Sequence, residues 1–511
     1  MHTDARTLDE GTVLQGDICI IGAGAAGISM ALEWIGTPYR VLLLEGGGFE
    51  VESEIQDLYH GETTGQRYFP LQSSRLHYFG GTTGHWGGFC SPLDPIDFKK
   101  RDWVPYSGWP ISREDLDPFY ARAQPIVELG PPEYDADYWE KPNEGLARLP
   151  VNEEKIRTKM WQFSTPTRFG TKYRQAIVDA PNVHLYTHAN VCDIEANEGV
   201  SKVERLHIRT LTGKAYAVQA RYFVLACGAI QNARLLLASN TQASNGLGND
   251  HDLVGRFFMD HPEVNSGYLL MPAPGPMKLY LFDFFETEAR GELALSDAQQ
   301  AEHQVLNGTS SLAPRALSED VPPWIERFPD DASETLQLWD GMEQAFKAGE
   351  IPKLDPSKYR EYLLFTRLEQ APNPSSRVTL SDEKDALGMP RVGLHWQPGA
   401  VEKRSIRTLY EVLGKEVGAS GLGRVQLMDW LLADEPIWPS FLGSGWHHMG
   451  TVRMHEDPRS GVVDADSNVH GIENLYVAGS AVFPTSGAAN PTLTLIAMTL
   501  RLSDHLKQRI A

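Results

Sequence analysis

The chain has 511 residues, 41% hydrophobic and 22% charged: ample material for a large core, and too long for one ordinary domain. Lys and Arg number 46 against 67 Asp and Glu, a formal charge of −21 that repels nucleic acid and anionic membrane surfaces and argues against both as partners. Cys19, Cys90, Cys192 and Cys227 show no CxxC spacing, which argues against zinc, dithiol redox chemistry and a disulfide framework.

The opening MHTDARTLDEGTVLQG lacks the apolar stretch of a signal peptide, and no later run is long enough to span a membrane, so the cytoplasm is the default expectation. DICIIGAGAAGISMALEWIG follows: a short buried strand from Asp17 to Ile21, a glycine turn, and a helix of small and apolar residues. A second strand, RVLLLEGG, ends on Glu45, 18 residues after Gly27. This βαβ context makes GxGxxG a strong dinucleotide fingerprint. Gly22 permits the turn, Gly24 lets backbone approach a pyrophosphate, and Gly27 lets helix and strand pack closely. The helix N-terminus stabilises phosphate charge, and Glu45 stands where an acid binds ribose hydroxyls. Cys19 and Cys227 fall in apolar strand-like runs and read as core.

HYFGGTTGHWGGFCSPLDPIDF is dense in glycine and reads as a loop able to lie against a flat ligand, with His85 and Trp86 at its middle. WVPYSGWPISREDLDPFYARA predicts a turn and then a helix with Ser112 as N-cap, opening a second lobe. VHLYTHANVCDIEAN and TGKAYAVQARYFVLACGAI predict a meander that returns to the first sheet. ACGAIQNARLLLASN predicts a strand end, a glycine turn and a helix near the same ligand. Residues 265–440 are irregular, with the acidic, Trp-containing PPWIERFPDDASETLQLWDGMEQ and the turn-rich EQAPNPSSRVTLSDEKDALGMPRVGLHW, and predict a second sheet covered by helices.

The last segment holds GWHHMGTVRM and then NLYVAGSAVFPTSGAANPTLTLIAMTL. A strand, a small-residue loop and an apolar helix are predicted, with Asn490 near the N-cap and Pro491 in the first turn. Neighbouring residues on an extended segment face opposite ways, so if His447 faces a ligand, His448 is expected to face away and hold the loop.

Four blocks in this order, GAGAAG with Glu45, FGGTTGHWGG, ACGAIQNARLL, and HHMGTVRM with VAGSAVFPTSGAANPTLT, resemble the glucose–methanol–choline (GMC) flavoprotein oxidoreductases over nearly the whole chain. PNPSSRVTL fits the family's substrate-domain pattern, and the HWGG block looks most like bacterial sugar dehydrogenases and pyranose oxidases. The resemblance implies an α/β (α+β overall) fold: a Rossmann-like FAD-binding domain from residues 1–100, 185–265 and 441–511, and a sheet-plus-helices substrate-binding domain from 101–184 and 266–440. It implies FAD, and oxidation of a CH–OH group of a sugar, glycoside or related alcohol with hydride passing to the flavin N5. The family's catalytic His, four residues before Thr451, falls on His447. The second catalytic position, before the Pro of the terminal motif, falls on Asn490. A histidine suits the role of base at neutral pH, and an amide can hold the alcohol oxygen without competing for its proton.

The resemblance further places Gly479, Ser480 and Ala481 by the pyrophosphate and ribityl chain, Thr492 near the flavin ring, and Val191 at an adenine contact made by backbone. His85 matches a histidine that some relatives bond covalently to the flavin 8α-methyl carbon, but Gly84 stands where a Thr is usual, which leaves covalent attachment and simple contact both open. Oxygen or another acceptor, a homo-oligomer, and periplasmic export with a small signal-bearing partner subunit are also left open. The alternative reading, a flavin monooxygenase or reductase sharing only the nucleotide fold, would need a second dinucleotide fingerprint or a CxxxxC pair, and the chain has neither.

Overall fold

The computed structural model describes residues 1–165, 167–281, 288–315, 332–348, 355–435 and 437–511. The predicted acidic segment around Trp324 falls partly outside the described residues.

The first sheet is built on runs that water never reaches. Val41–Leu44 is buried at all four positions, and Val13–Ile21 is buried over its second half, the pattern of parallel strands covered on both faces. The strand order is His2–Asp4, Val183–Thr187, Val41–Leu44, Val13–Ile21, Ala215–Leu225, Val203–Arg209 and Asn190–Ala196, with Leu475–Val477 also paired to Ala215–Leu225. The last three strands of that order form the predicted antiparallel meander. Register decides what the sheet presents. Ile21 lies beside Leu44 and Leu225, and Leu225 lies beside Val477. The residues that follow, Gly22, Glu45, Ala226–Gly228 and Ala478–Gly479, therefore leave one sheet edge together, at the carboxyl ends where such sheets bind ligands.

The second sheet is antiparallel, in the order Arg424–Leu427, Pro262–Leu270, Glu361–Leu368, Gly308–Pro314, Ala289–Leu295, Ile156–Phe163 and Phe89–Cys90, with Gly443–Ser444 added beside Pro262–Leu270. The helix Ala400–Ala419 packs on it. A third sheet joins Arg377–Lys384, Pro390–Trp396 and Gly61–Gly65. The Gly80–Pro92 stretch is not all loop, as it carries a 3-10 turn at Gly81–Gly84 and the two-residue strand Phe89–Cys90 that pairs with Ile156–Phe163.

Helix ends follow their caps. Arg113–Ile126 begins after Ser112, whose hydroxyl accepts from the Asp115 N–H while the Asp115 carboxylate accepts from the Ser112 N–H. The final helix, Pro491–Ile510, packs on Arg113–Ile126 and on Ala25–Trp34. Asn490 stands at its N-cap, but the side chain makes no capping bond and turns elsewhere. Among the described residues no helix is long and apolar enough to cross a membrane.

Candidate active site

A cavity of about 1080 Å³ runs from the edge of the first sheet to the face of the second. That is at or above the upper end of the usual ~300–1,000 Å³ range of small-ligand sites. At one end it is lined by Gly22, Gly24, Glu45, Val191 and Gly479. The helix Ala25–Trp34 points its N-terminus there with Gly24 at the N-cap and no side-chain cap, leaving backbone donors for an anion. A Cβ added at Gly24 would meet nothing within 4 Å and would point into the open cavity that this glycine lines. Gly22 has φ +101, in the region that favours glycine. Gly27 and Ala481 stand behind the wall rather than on it; a Cβ on Gly27 would lie 1.8 Å from the Gly22 carbonyl, so this glycine serves the helix–strand contact. Glu45 is buried, and its oxygens accept from the N–H groups of Ala23 and Gly47, both at 2.9 Å. Burial raises its pKa. Ser480 and Thr492 line the cavity further in, and the Ser480 hydroxyl donates to the His448 carbonyl oxygen at 2.7 Å. Cys227, expected in the core, is on the cavity wall, its thiol directed to the Ile21 carbonyl oxygen at 3.0 Å.

His85, Trp86, His447, His448 and Asn490 line the middle of the cavity. His85 is 2% exposed, and neither ring nitrogen has a hydrogen-bond partner. Buried imidazole nitrogens are normally bonded, so two orphaned ones facing a cavity fit a missing group there. Burial lowers the His85 pKa to about 3, so the ring is neutral. The Trp86 indole instead donates to the Thr167 carbonyl at 2.9 Å.

His447 is held at both nitrogens: Nε2 lies 3.1 Å from Asn490 Nδ2, and Nδ1 lies 2.9 Å from Nδ1 of His261. Trp161 Nε1 donates to Asn490 Oδ1 at 3.1 Å, which orients the amide with its NH₂ toward His447. Burial, and then the neighbouring His261, hold the His447 pKa well below its ordinary value. Its backbone N–H and that of His261 both donate to Asp260 Oδ1, at 2.8 and 2.7 Å, while the Tyr68 hydroxyl donates to Asp260 Oδ2. Burial raises Asp260 to about 7.

His448 differs from expectation. It also lines the cavity, with Nε2 buried and unpartnered and the ring near Phe258 and Tyr68. The alternation rule assumes a regular extended strand; here the two histidines follow a left-handed Trp446 at φ +57, outside any strand, and both lie on the cavity wall. Sequence reasoning missed Asp260, His261, Trp161 and Tyr68. An Asp-His pair inside the apolar VGRFFMDHPEV was the one local signal available.

Where the cavity meets the second sheet its wall carries Glu263, Asn265, Arg290, Ser311 and Arg367. Arg367 donates to Glu263 at 2.8 Å, and Arg290 pairs with Glu292.

Residues 372–499 match the family model described as GMC oxidoreductase, and residues 17–244 match that of an FAD dependent oxidoreductase. The chain is 25% identical to the 2-methyl-1,2-propanediol dehydrogenase of Mycolicibacterium austroafricanum, over 97% of this chain and 96% of that one. It is 24% identical to the pyranose 2-oxidase of Tricholoma matsutake, over 83% of this chain and 71% of that one. The fold is shared with formate oxidase of Aspergillus oryzae, at a TM-score of 0.57 and 16% identity, covering 98% of this chain and 99% of that one. The open Gly24 cradle, the uncapped helix N-terminus and the orphaned His85 nitrogens fit the cofactor that the second model names. With the FAD dependent oxidoreductase match over residues 17–244 and the GMC oxidoreductase match over 372–499, the protein is a GMC-type, FAD-dependent oxidoreductase.

Proposed function

We propose that the protein oxidises a CH–OH group of a neutral, hydroxyl-rich substrate, a sugar, glycoside or related alcohol, to a carbonyl, with His447 as base and Asn490 orienting the hydroxyl. The segments leaving the first sheet would hold the cofactor, and the face of the second sheet would receive the substrate. The observation that carries this reading is the 3.1 Å contact between His447 Nε2 and the Asn490 amide on the cavity wall. An imidazole nitrogen and an amide donor side by side present the two groups an alcohol oxygen needs: one to take its proton, one to hold its lone pair. His447 is kept uncharged by burial, so it can accept a proton. FAD, when bound, would supply the two-electron acceptor for the carbinol hydride. The protein positions the carbinol and removes the hydroxyl proton to Nε2 as the C=O bond forms.

The substrate class follows from the opposite wall. Arg367 on that wall is paired with Glu263 beside it and Arg290 with Glu292 behind the wall, so the arginine charges are balanced, and Asn265 and Ser311 add neutral polar groups. Such a wall hydrogen-bonds hydroxyls and gives no net attraction to an anion. The diol dehydrogenase and pyranose oxidase among the relatives support a polyol or sugar. We also propose that His85 bonds FAD covalently: an imidazole nitrogen would replace a hydrogen of the flavin 8α-methyl group, the proton leaving and the two electrons passing to the flavin and then to its acceptor.

Anaerobic mixing with a panel of alcohols and sugars tests the reading. A neutral polyol or sugar is expected to bleach the flavin. His447→Ala should keep its FAD and slow bleaching by about 10²–10⁴-fold. Bleaching by His447→Ala at the original rate would remove the base assignment.

A further inference from the structure

Two buried imidazoles share one proton behind the base. Nδ1 of His261 lies 2.9 Å from Nδ1 of His447, with the rings at 75°. A contact of that length places a hydrogen between the nitrogens, and the far ends of the two rings decide whose it is. Nε2 of His261 lies 2.9 Å from the Gly487 carbonyl oxygen, which only accepts, so Nε2 carries a hydrogen. His261 is 0% exposed with the Arg367 charge nearby, and its pKa is lowered to about 3, so the ring is neutral and has one N–H. Its Nδ1 is therefore a bare lone pair, and the shared hydrogen belongs to Nδ1 of His447. His447, also neutral, is left with a bare Nε2, the atom beside the Asn490 amide.

The chain of donors runs one way: Trp161 N–H to Asn490 oxygen, Asn490 N–H to His447, His447 Nδ1–H to His261, His261 Nε2–H to the Gly487 carbonyl. Fold topology builds this contact. Pro262 pairs with Ser444 and Met259 with Met449, so residues 259–263 run antiparallel to 443–449 and set His261 against His447.

We infer that His261 is the positioning residue of the base: its Nδ1 lone pair fixes His447 in the Nδ1–H tautomer, leaves Nε2 unprotonated beside the Asn490 amide, where the substrate hydroxyl replaces the amide N–H as its partner, and stabilises the imidazolium formed when Nε2 takes the substrate proton. The inference rests on the proposed role of His447. In the step, the substrate O–H bond breaks and an Nε2–H bond forms. The positive charge is shared across the Nδ1–H···Nδ1 bond. His261 cannot pass a proton onward, because its Nε2–H faces a carbonyl. The pair therefore stores one proton, which returns through the cavity. The other titratable groups about the pair are Asp260, which holds both backbone N–H groups, His448, and Arg367 with its partner Glu263.

The holoenzyme, labelled with ¹⁵N-histidine, gives a direct readout: the His447 spectrum, assigned by loss in His447→Gln, is expected to show protonated Nδ1 and bare Nε2. His261→Leu removes the acceptor. It should slow flavin reduction by about 10²-fold or more, with substrate affinity changed far less, shift the pH profile of the reduction rate, and mix the His447 tautomers. His261→Asn, whose Oδ1 can accept the same hydrogen, should restore most of the rate. A proton on Nε2 in the wild-type spectrum, or His261→Leu reducing with the wild-type rate and pH profile, overturns the inference. Should His261→Leu not fold, the wild-type spectrum and His261→Asn decide it. Unimpaired His447→Ala would instead sink the base assignment, and the spectrum would still report the tautomer.

Discussion

His85 and His447 are both buried imidazoles on one cavity, yet their surroundings differ. His447 has a partner at each nitrogen, and His85 has none. Both His85 nitrogens are left for a bond to FAD, and on the proposed covalent attachment acid-precipitated wild-type protein should give a yellow pellet and His85→Ala a colourless one. A colourless wild-type pellet would show the attachment to be non-covalent. The pH response of the base follows from the direction of its shift. Burial lowers the His447 pKa, so the neutral, proton-accepting form persists below the ordinary value of 6.5. The flavin-reduction rate constant is expected to stay level from about pH 9 down through 6.5, in stopped-flow traces against saturating substrate. A fall centred on 6.5 would mean that the base is solvated. His447 and Asn490 were legible because each sits in a local motif. His261 was not: it lies 186 residues before His447 and meets it only through strand pairing. That His448 shares the cavity wall with His447, beyond a left-handed Trp446, leaves no mark in a Gly-Trp-His-His string.

At the scale of elements, the strand–turn–helix from Val13 to Trp34 was readable because its constraints are local: an apolar run, a turn that needs glycine, and small residues where a helix crosses a strand. Two of its glycines make opposite predictions. A Cβ at Gly27 collides with the Gly22 carbonyl at 1.8 Å, while one at Gly24 meets no protein atom. Gly27→Ala must push the helix off the sheet, so it should lower the apoprotein melting temperature by several degrees and abolish FAD retention. Gly24→Ala should melt like wild type without FAD and bind it more weakly, read by titration of the apoprotein. Equal melting losses in both would mean that the Gly24 space is not the cofactor's. The Asn490 cap shows the limit of such local reading. Sequence places an N-cap there correctly, but its amide is drawn to His447 and Trp161 instead of the helix.

Across the whole molecule the two large sheets are assembled from distant segments, and what they enclose is unusually ionisable. Ile156–Phe163 meets Ala289–Leu295, and Pro262–Leu270 meets Arg424–Leu427; no local pattern announces such pairings. Their inward charges, Arg290, Glu292, Glu263 and Arg367, were invisible for the same reason. Two sets of buried groups then oppose each other in acid. Burial lowers His77, His85, His261 and His448 to about 3 and lowers His184 and His447 as well. Below about pH 6.5 the unfolded chain binds protons that these folded histidines refuse, so they lose stability as pH falls. Burial raises Asp97, Asp260 and Glu402 to about 7, and raises Glu45, Glu263 and Asp193. Between about pH 7 and 4 these bind protons in the folded state before the unfolded chain does, so they gain stability as pH falls. The two slopes offset each other over that window. Below about pH 4 both states have protonated those carboxyls, their slope vanishes, and the histidine loss continues toward 3. There Asp94, held ionised by Arg157 and Lys159, and Glu292, held by Arg290, add their own loss. The melting temperature of the apoprotein, where no cofactor touches His85, should therefore be nearly flat from pH 7 to about 4.5 and fall steeply below 4. A steady decline beginning at pH 6.5 would show the histidine set unopposed, and the buried carboxyls ionised in the folded protein.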